Sequence, residues 1–527
     1  MREKTFKNKD GSTRTYLQLV ENVREGDRVR QKVIANLGRL DQLREDGQLD
    51  RLVEGLGRYT QLKLVKEKAA EIKTGRDREW GPALVFRALW DRLGVGPVIR
   101  DLSGGTGMEF DVDSALFAMA LNRLTDPCSK LGVSRWVDTV YCPSFEGLEL
   151  QHYYRALDFL ASYKDTVEER LFAKVRDLFH LKLDVVFWDT TSTYFEGRGP
   201  EALARFGHSK DSRPDRLQLM IGLLMTQEGI PVAHEVFPGN TADVKTFAGV
   251  LKTLKERFQI RRVILVGDRG MVSEPVLKEI EAEDLEYIVG VKMRKAKAME
   301  EVLSRAGRYK EVKDNLRVKE VELDGVRYVV CLNPEEAKRD RDAREEMVAK
   351  LRERLRKDGL KSLVGNSGYR RFLKVAGTEA TVDEDTVKEE ERYDGKYVLK
   401  TNNRSLRSEE VAMAYKGLWR VEQAFREIKS GLDLRPIFHW TEPRVRGHIM
   451  VCFLAFLMQS ALRRRLEEEE SRVSYTELIH DLRQVRAFEL ELDGVKYLLR
   501  PPLYGKSYDG FKAAGIRPPA EVSMVPR

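Results

Sequence analysis

The sequence predicts an α/β protein with a mixed central sheet, preceded by a β-hairpin and a helical region and interrupted by a β-rich insertion. Three observations predict it. Apolar runs of strand length alternate with helical segments from Leu181 to about residue 291. Residues 80–180 instead repeat apolar side chains at helical spacing, as in Ala83-Leu84-Phe86-Leu89-Trp90-Leu93, with Gly94 as a stop. Near the start, two β-like runs (14–20 and 28–36) flank Glu25-Gly26-Asp27, a hairpin signal.

Taken in order, residues 1–60 form a hairpin arm and 61–180 a helical region. LKLDVVFWDTT, LQLMIGLLMT and IPVAHEVF then read as three strands. A helix at Ala242–Phe258, the strand RRVILVGD, a helix at Glu274–Ala282 and the strand LEYIVGVKM follow. That succession is the one expected of a ribonuclease H-like core, split into 181–291 and 392–470. Residues 292–391 break its rhythm with LRVKEVELDG, VRYVVCLN and the charged helix Glu335–Lys357, and read as an insertion. Ser408–Lys429 reads as one long amphipathic helix, Arg444–Leu466 as a helix with an apolar centre, and 471–527 as a tail.

A chain of 527 residues is too long for one core, and 42% hydrophobic residues are enough to bury several. Lys plus Arg exceed Asp plus Glu by 93 to 85, a net +8 that permits a polyanionic partner without requiring one. Four scattered cysteines and seven histidines give neither a disulfide framework nor zinc spacing. The polar start MREKTFKNKDGS lacks a signal peptide's apolar core, and Ile449–Met458 is too short to span a bilayer. A cytoplasmic setting with no membrane is expected.

Asp189 ends an apolar strand in WDTTSTYFEG, and Asp268 directly follows a second in VILVGDRGM. Strand-end carboxylates project from a rigid platform, although most such aspartates only form turns or caps. Tyr415, Glu422 and Lys429 stand seven residues apart, two helical turns, which puts them on one face, with Arg426 beside Glu422. Glu422 and Arg426 alone read as an ordinary surface pair, worth about 0.3–0.5 kcal/mol. Three hard-oxygen acids suit a pair of Mg²⁺ or Mn²⁺ ions roughly 3.5–4 Å apart, the arrangement that activates a nucleophile and stabilises a leaving oxygen in phosphodiester cleavage.

The chain resembles the DDE transposases of bacterial insertion sequences, in the superfamily whose last motif is Tyr-x2-Arg-x3-Glu-x6-Lys, and within it the 1634-like branch. The residues that carry the resemblance are DTT (189–191), GHSKDSRPD (207–215), PGNTAD (238–243), DRGM from Asp268, YKGLWRVEQAFREIK from Tyr415 and the RPIFHWTEPRVRGHIMVCFLA that follows. By that resemblance Asp189, Asp268 and Glu422 form the metal-binding triad for two ions, and Tyr415 and Lys429 contact phosphates near the cleaved end. The motif's arginine falls on Leu418, so Arg420 or Arg426 would replace it, and Arg269 is a further phosphate contact. The family also implies the β-rich insertion.

The activity so implied is metal-dependent cleavage at element ends and strand transfer into target DNA. Its partners would be double-stranded terminal repeats and target DNA, bound by a homodimer near the nucleoid, with the helical region and the tail as DNA or dimer contacts. A nuclease without strand transfer and a catalytically inactive DNA-binding remnant are the alternatives. A two-carboxylate glycoside hydrolase ranks far below, because the aromatics gather on apolar helix faces. His208, Ser209 and Lys210 read as an exposed loop or a DNA contact, Asn240 and Thr241 as a turn and helix cap, Arg216 as a weak phosphate contact, His439 and His448 as core or interface histidines, and Trp440 as a packing residue before a base-stacking one.

Overall fold

A third strand joins the N-terminal hairpin, since β1 (Arg2–Lys7), β2 (Thr13–Glu25) and β3 (Arg28–Arg39) pair antiparallel in that order. The structure, a computed structural model, describes all residues except 9–10, 26–27, 58–72, 180–184, 242–256, 259–263, 268–272, 295–297, 314, 359–366, 377–378, 493 and 526–527. The expected helix at Ala242–Phe258 therefore lies outside the described residues up to Glu256, and Arg257 and Phe258 are helical. Two compact units divide the chain: Met1–Gly75 with Glu489–Tyr497 and Met524–Arg527, and Arg76–Phe488 with Leu498–Ser523.

After β4 (Lys73–Glu79), the larger unit begins with helices at Gly81–Arg92, Val95–Ser103, Val112–Thr125, Lys130–Trp136, Leu150–Ser162 and Lys164–Phe179. Asp111 starts the third by accepting from Ser114 N at 3.1 Å. Every residue from Val112 to Leu124 in it is buried, and Asp113 inside accepts from Trp90 Nε1 at 2.7 Å and pairs with Arg87 and Arg100. The helix Glu442–Glu468 runs against this bundle. At Gly447 it approaches so closely that a Cβ would lie 2.2 Å from Leu157 O. Among the described residues it is the one helix long and apolar enough to cross a membrane, and 89% of its apolar window is buried inside the fold, as in a core helix.

The central sheet comprises β5 (Val185–Tyr194), β6 (Gln218–Thr226), β7 (Pro231–Pro238), β8 (Ile264–Gly267), β9 (Glu286–Gly290), β10 (Lys310–Lys313), β11 (Leu316–Leu323), β12 (Val326–Leu332) and β15 (Lys396–Thr401). A separate pair, β13 (Leu373–Ala376) and β14 (Glu379–Val382), stands apart from it. Its order is β10-β11-β12-β15-β9-β8-β5-β6-β7. β5 runs antiparallel to β6 and β6 to β7, whereas β5, β8 and β9 are parallel. β10, β11 and β12, all within residues 292–391, thus continue the central sheet through β15.

Alternation along β5 sorts its side chains between two layers. Val185 and Phe187 join the core built with Val421, Phe425 and the Glu442–Glu468 helix. Val186 and Trp188 join Phe172, Val276, Leu277 and Ile280 on the other side. Gly222 on β6 leaves room for Trp188, since a Cβ there would lie 2.3 Å from the indole.

Candidate functional site

Asp189 follows Phe187 by two residues and therefore shares its face of β5, the face covered by the helix that carries Glu422. Asp189 is half-buried, its Oδ1 accepting from Thr190 N at 2.7 Å, while Glu422 is exposed. Asp268 and Arg269 lie outside the described residues; Asp268 follows Gly267, the last residue of β8.

The expected single helix from Ser408 to Lys429 is instead three pieces. Ser408–Lys416 and Trp419–Arg426 are α-helical, and Glu427–Gly431 is a π-turn. At the break the bonds shorten to i−3: Gly417 N to Ala414 O, Leu418 N to Tyr415 O and Arg420 N to Gly417 O. The cause is contact with β5, because a Cβ on Gly417 would sit 2.4 Å from Phe187 Cζ. Gly417→Val should therefore push the Glu422 helix off β5. A loss of about 1–3 kcal/mol is expected, with a matching fall in DNA cleavage, and unchanged urea denaturation would contradict the tight contact.

This break, and the π-turn after it, alter the phase of the motif residues. Tyr415 is half-buried and stacks on Tyr397, with ring centroids 5.8 Å apart. Lys429 is buried and pairs with Asp211 at 2.9 Å instead of lining a surface stripe with Glu422. Burial lowers the Lys429 ammonium's pKa, and Asp211 opposes that shift. Leu418, at the motif arginine's position, is buried in the core. Of the two replacements, Arg420 donates to Gln227 O in the β6–β7 turn. Arg426, one turn beyond Glu422, is exposed and has no hydrogen-bond or ion-pair partner among the described residues.

The GHSKDSRPD loop ties these elements together. Lys210 N donates to Ser192 Oγ at 2.7 Å, and its ammonium to Thr190 O at 2.6 Å, one residue from Asp189. Asp211 then accepts from both Lys429 and Arg435. Sequence reasoning treated this loop as solvent-exposed and missed Asp211. The partners are 218 residues apart, and an Asp in a Ser-rich loop looks like an ordinary turn residue. Trp440 and Phe438 are 70% and 61% exposed, so Trp440 does not pack as expected, whereas His448 is a core residue. Arg216 is engaged with Glu196 at 2.7 Å.

Elsewhere, Asp165, Glu168 and Glu235 bring carboxylates within 4.8 Å of one another. They are already paired with Lys164 and Arg257, and Glu168 also contacts His234 at 2.7 Å. A cation would have to displace these partners, so the cluster fits a metal poorly. Burial alone would raise the Glu168 carboxyl, but Lys164, His234 and Arg257 outweigh it and hold the pKa at about 2 against an ordinary 4.5. A depressed carboxylate stabilises the fold above its unfolded value and loses that contribution as pH falls through the folded one. The contribution is about 3 kcal/mol on linkage grounds. Glu168→Gln should lower stability at pH 7 by that order and flatten the acid limb between pH 4.5 and 2. Thermal melts across that range check it, and an unchanged acid limb would contradict it.

The family described as "Transposase DDE domain" matches residues 181–458, and "IS1634 family transposase, N-terminal domain" matches 1–68. No curated protein matches the chain. Among solved structures it is similar to a piggyBac transposase synaptic complex with hairpin DNA, at 11% identity and a TM-score of 0.35, covering 76% of this chain and 79% of that one. It is also similar to the Mos1 transposase paired-end complex with left transposon end, at 13% identity and a TM-score of 0.15, covering 33% and 57%.

Proposed function

The chain belongs to the DDE transposases, in the IS1634 family, and on that premise we propose that Asp189, Asp268 and Glu422 are its catalytic acids and hold two Mg²⁺ or Mn²⁺ ions. Dependence on a divalent metal comes with the family; the ion count and these ligands are our reading. The observation that carries it is the shared face of β5, with Asp189 on the side covered by the Glu422 helix. Phe187 pairs with Val266, and Asp189 and Asp268 each stand two residues further along their chains. The run β7-β6-β5-β8-β9, two antiparallel pairs then two parallel ones, supports a ribonuclease H-like core.

The donor set fits hard divalent cations, since half-buried Asp189 and exposed Glu422 carry carboxylate oxygens. Bound ions would supply an acidified attacking water and charge neutralisation at the leaving oxygen. The protein's own part is positional. β5 fixes Asp189, the Gly417 contact fixes the Glu422 helix, and exposed Arg426 meets a phosphate in place of the motif arginine. Tyr415, Arg420 and Arg269 complete the DNA contacts, with Lys429 poised against Asp211. The enzyme cuts at the ends of its element and uses the freed 3′-hydroxyl to attack target DNA, acting on paired ends as a dimer in the nucleoid.

A strand-transfer reaction with pre-cleaved ends tests this. Joined products are expected with Mg²⁺ or Mn²⁺ and none with EDTA. Nicking without joining would reduce the protein to a nuclease.

A further inference from the structure

The two faces of the N-terminal sheet differ in where their carboxylates lie. Pairing sets Arg2 against Gln18, Lys4 against Tyr16 and Phe6 against Arg14, so these side chains share one face. On β3 the same face receives Arg39 opposite Tyr16, Asn36 opposite Gln18 and Gln31 opposite Asn22. Contacts across the strands agree: Arg2 donates to Gln18 at 2.7 Å and to Gln31 at 3.4 Å, and the Lys4 ammonium sits 5.1 Å over the Phe6 ring.

Among the described residues, none of the strand positions on this face is a carboxylate. Its cations are Arg2, Lys4, Arg14 and Arg39, the last paired with Asp41. Its amides are Gln18, Asn22, Gln31 and Asn36. The opposite face holds Glu3 and Glu21 beside Lys7, Arg30 and Lys32, and the helix Leu40–Glu45 packs on it at Gly38, where a Cβ would lie 3.6 Å from the buried Leu43. Lys4, Phe6, Arg14, Asn22, Gln31 and Asn36 are all exposed on the first face.

We propose that this first face reads duplex DNA from the major groove. Three strands span about 10 Å, and the groove is about 12 Å wide and admits β-ribbons. Arg and Lys side chains suit phosphates and guanine edges, and Asn and Gln suit adenine. Register shifts at Leu17/Gln18 and Leu19/Val20 add the twist that lets a ribbon follow a groove. The inference rests on the reading of the chain as a DNA-acting transposase and adds where sequence is read.

The test uses the full-length protein, a duplex of the repeat flanking its gene, and a scrambled duplex of equal length. Lys4→Gln with Arg14→Gln should weaken binding to the repeat at least roughly 10-fold and reduce the salt slope by about 2. Gln31→Ala with Asn36→Ala should cut discrimination between repeat and scrambled duplexes roughly 10-fold while sparing scrambled binding. Lys7→Gln with Lys32→Gln removes the same charge from the opposite face and should stay within about two-fold. Equal losses from both charge pairs, or undiminished discrimination in the amide variant, would overturn the proposal. The uncharged amide pair decides if the charge variant misfolds. Failure of the wild-type protein to bind either duplex would instead sink the DNA-acting reading.

Discussion

Glu422→Gln is expected to remove DNA cleavage while leaving end binding within about two-fold. Glutamine keeps the shape and hydrogen-bonding reach of the side chain but not the charge, and hard divalent cations are held mainly by charged oxygen. Glu422 is exposed and pairs with no cation among the described residues, so its neutralisation should disturb little in the fold. A rate loss of roughly 10³-fold or more is the scale for deleting one preorganised transition-state group. Asp189→Asn should match it, since that carboxylate lies on the same side of β5. Nicking assays in Mn²⁺ beside gel-shift binding read both quantities. Wild-type cleavage by Glu422→Gln would overturn the assignment of the acids.

The second large effect is on stability, and its order is diagnostic. Asp211 faces two cations, Lys429 and Arg435, in a nearly closed environment. Asp211→Asn would leave both without their counter-charge, and breaking a buried pair costs about 3–5 kcal/mol. Lys429→Met leaves Asp211 still paired with Arg435, so it should cost clearly less. Chemical denaturation of the two variants decides. Equal losses, or the reverse order, would show that Asp211 does not bind the loop to the end of the Glu422 helix.

Strand and helix identities were legible where periodicity was long and clean. The apolar runs of β5 and β6, and the spacing in residues 80–180, predict elements that the structure contains. The motif helix was less legible. Its amphipathic pattern runs without interruption through Gly417, and only the approach to Phe187, 230 positions earlier in the chain, explains the break. Likewise Lys429 looked like a solvent-facing cation until the loop bearing Asp211 folded over it. Trp440 looked more like a packing residue than a stacking one, yet it is 70% exposed.

By itself, then, the sequence determined the chemistry on offer: two acids beside apolar runs, one in a helical pattern, and hard oxygen ligands without soft ones, although β5 runs on to Tyr194 and sets Asp189 within the strand instead of at its end. Local periodicity also determined most of the strands and helices, since it reflects which faces must leave water. Tertiary structure alone decided which side of β5 the Glu422 helix occupies, which cations remain exposed and which are buried in pairs. It also decided that the N-terminal hairpin, joined by β1, gathers Arg2, Lys4 and Arg14 on one face. These depend on contacts between residues hundreds of positions apart, whose burial and charge neutralisation no local pattern encodes.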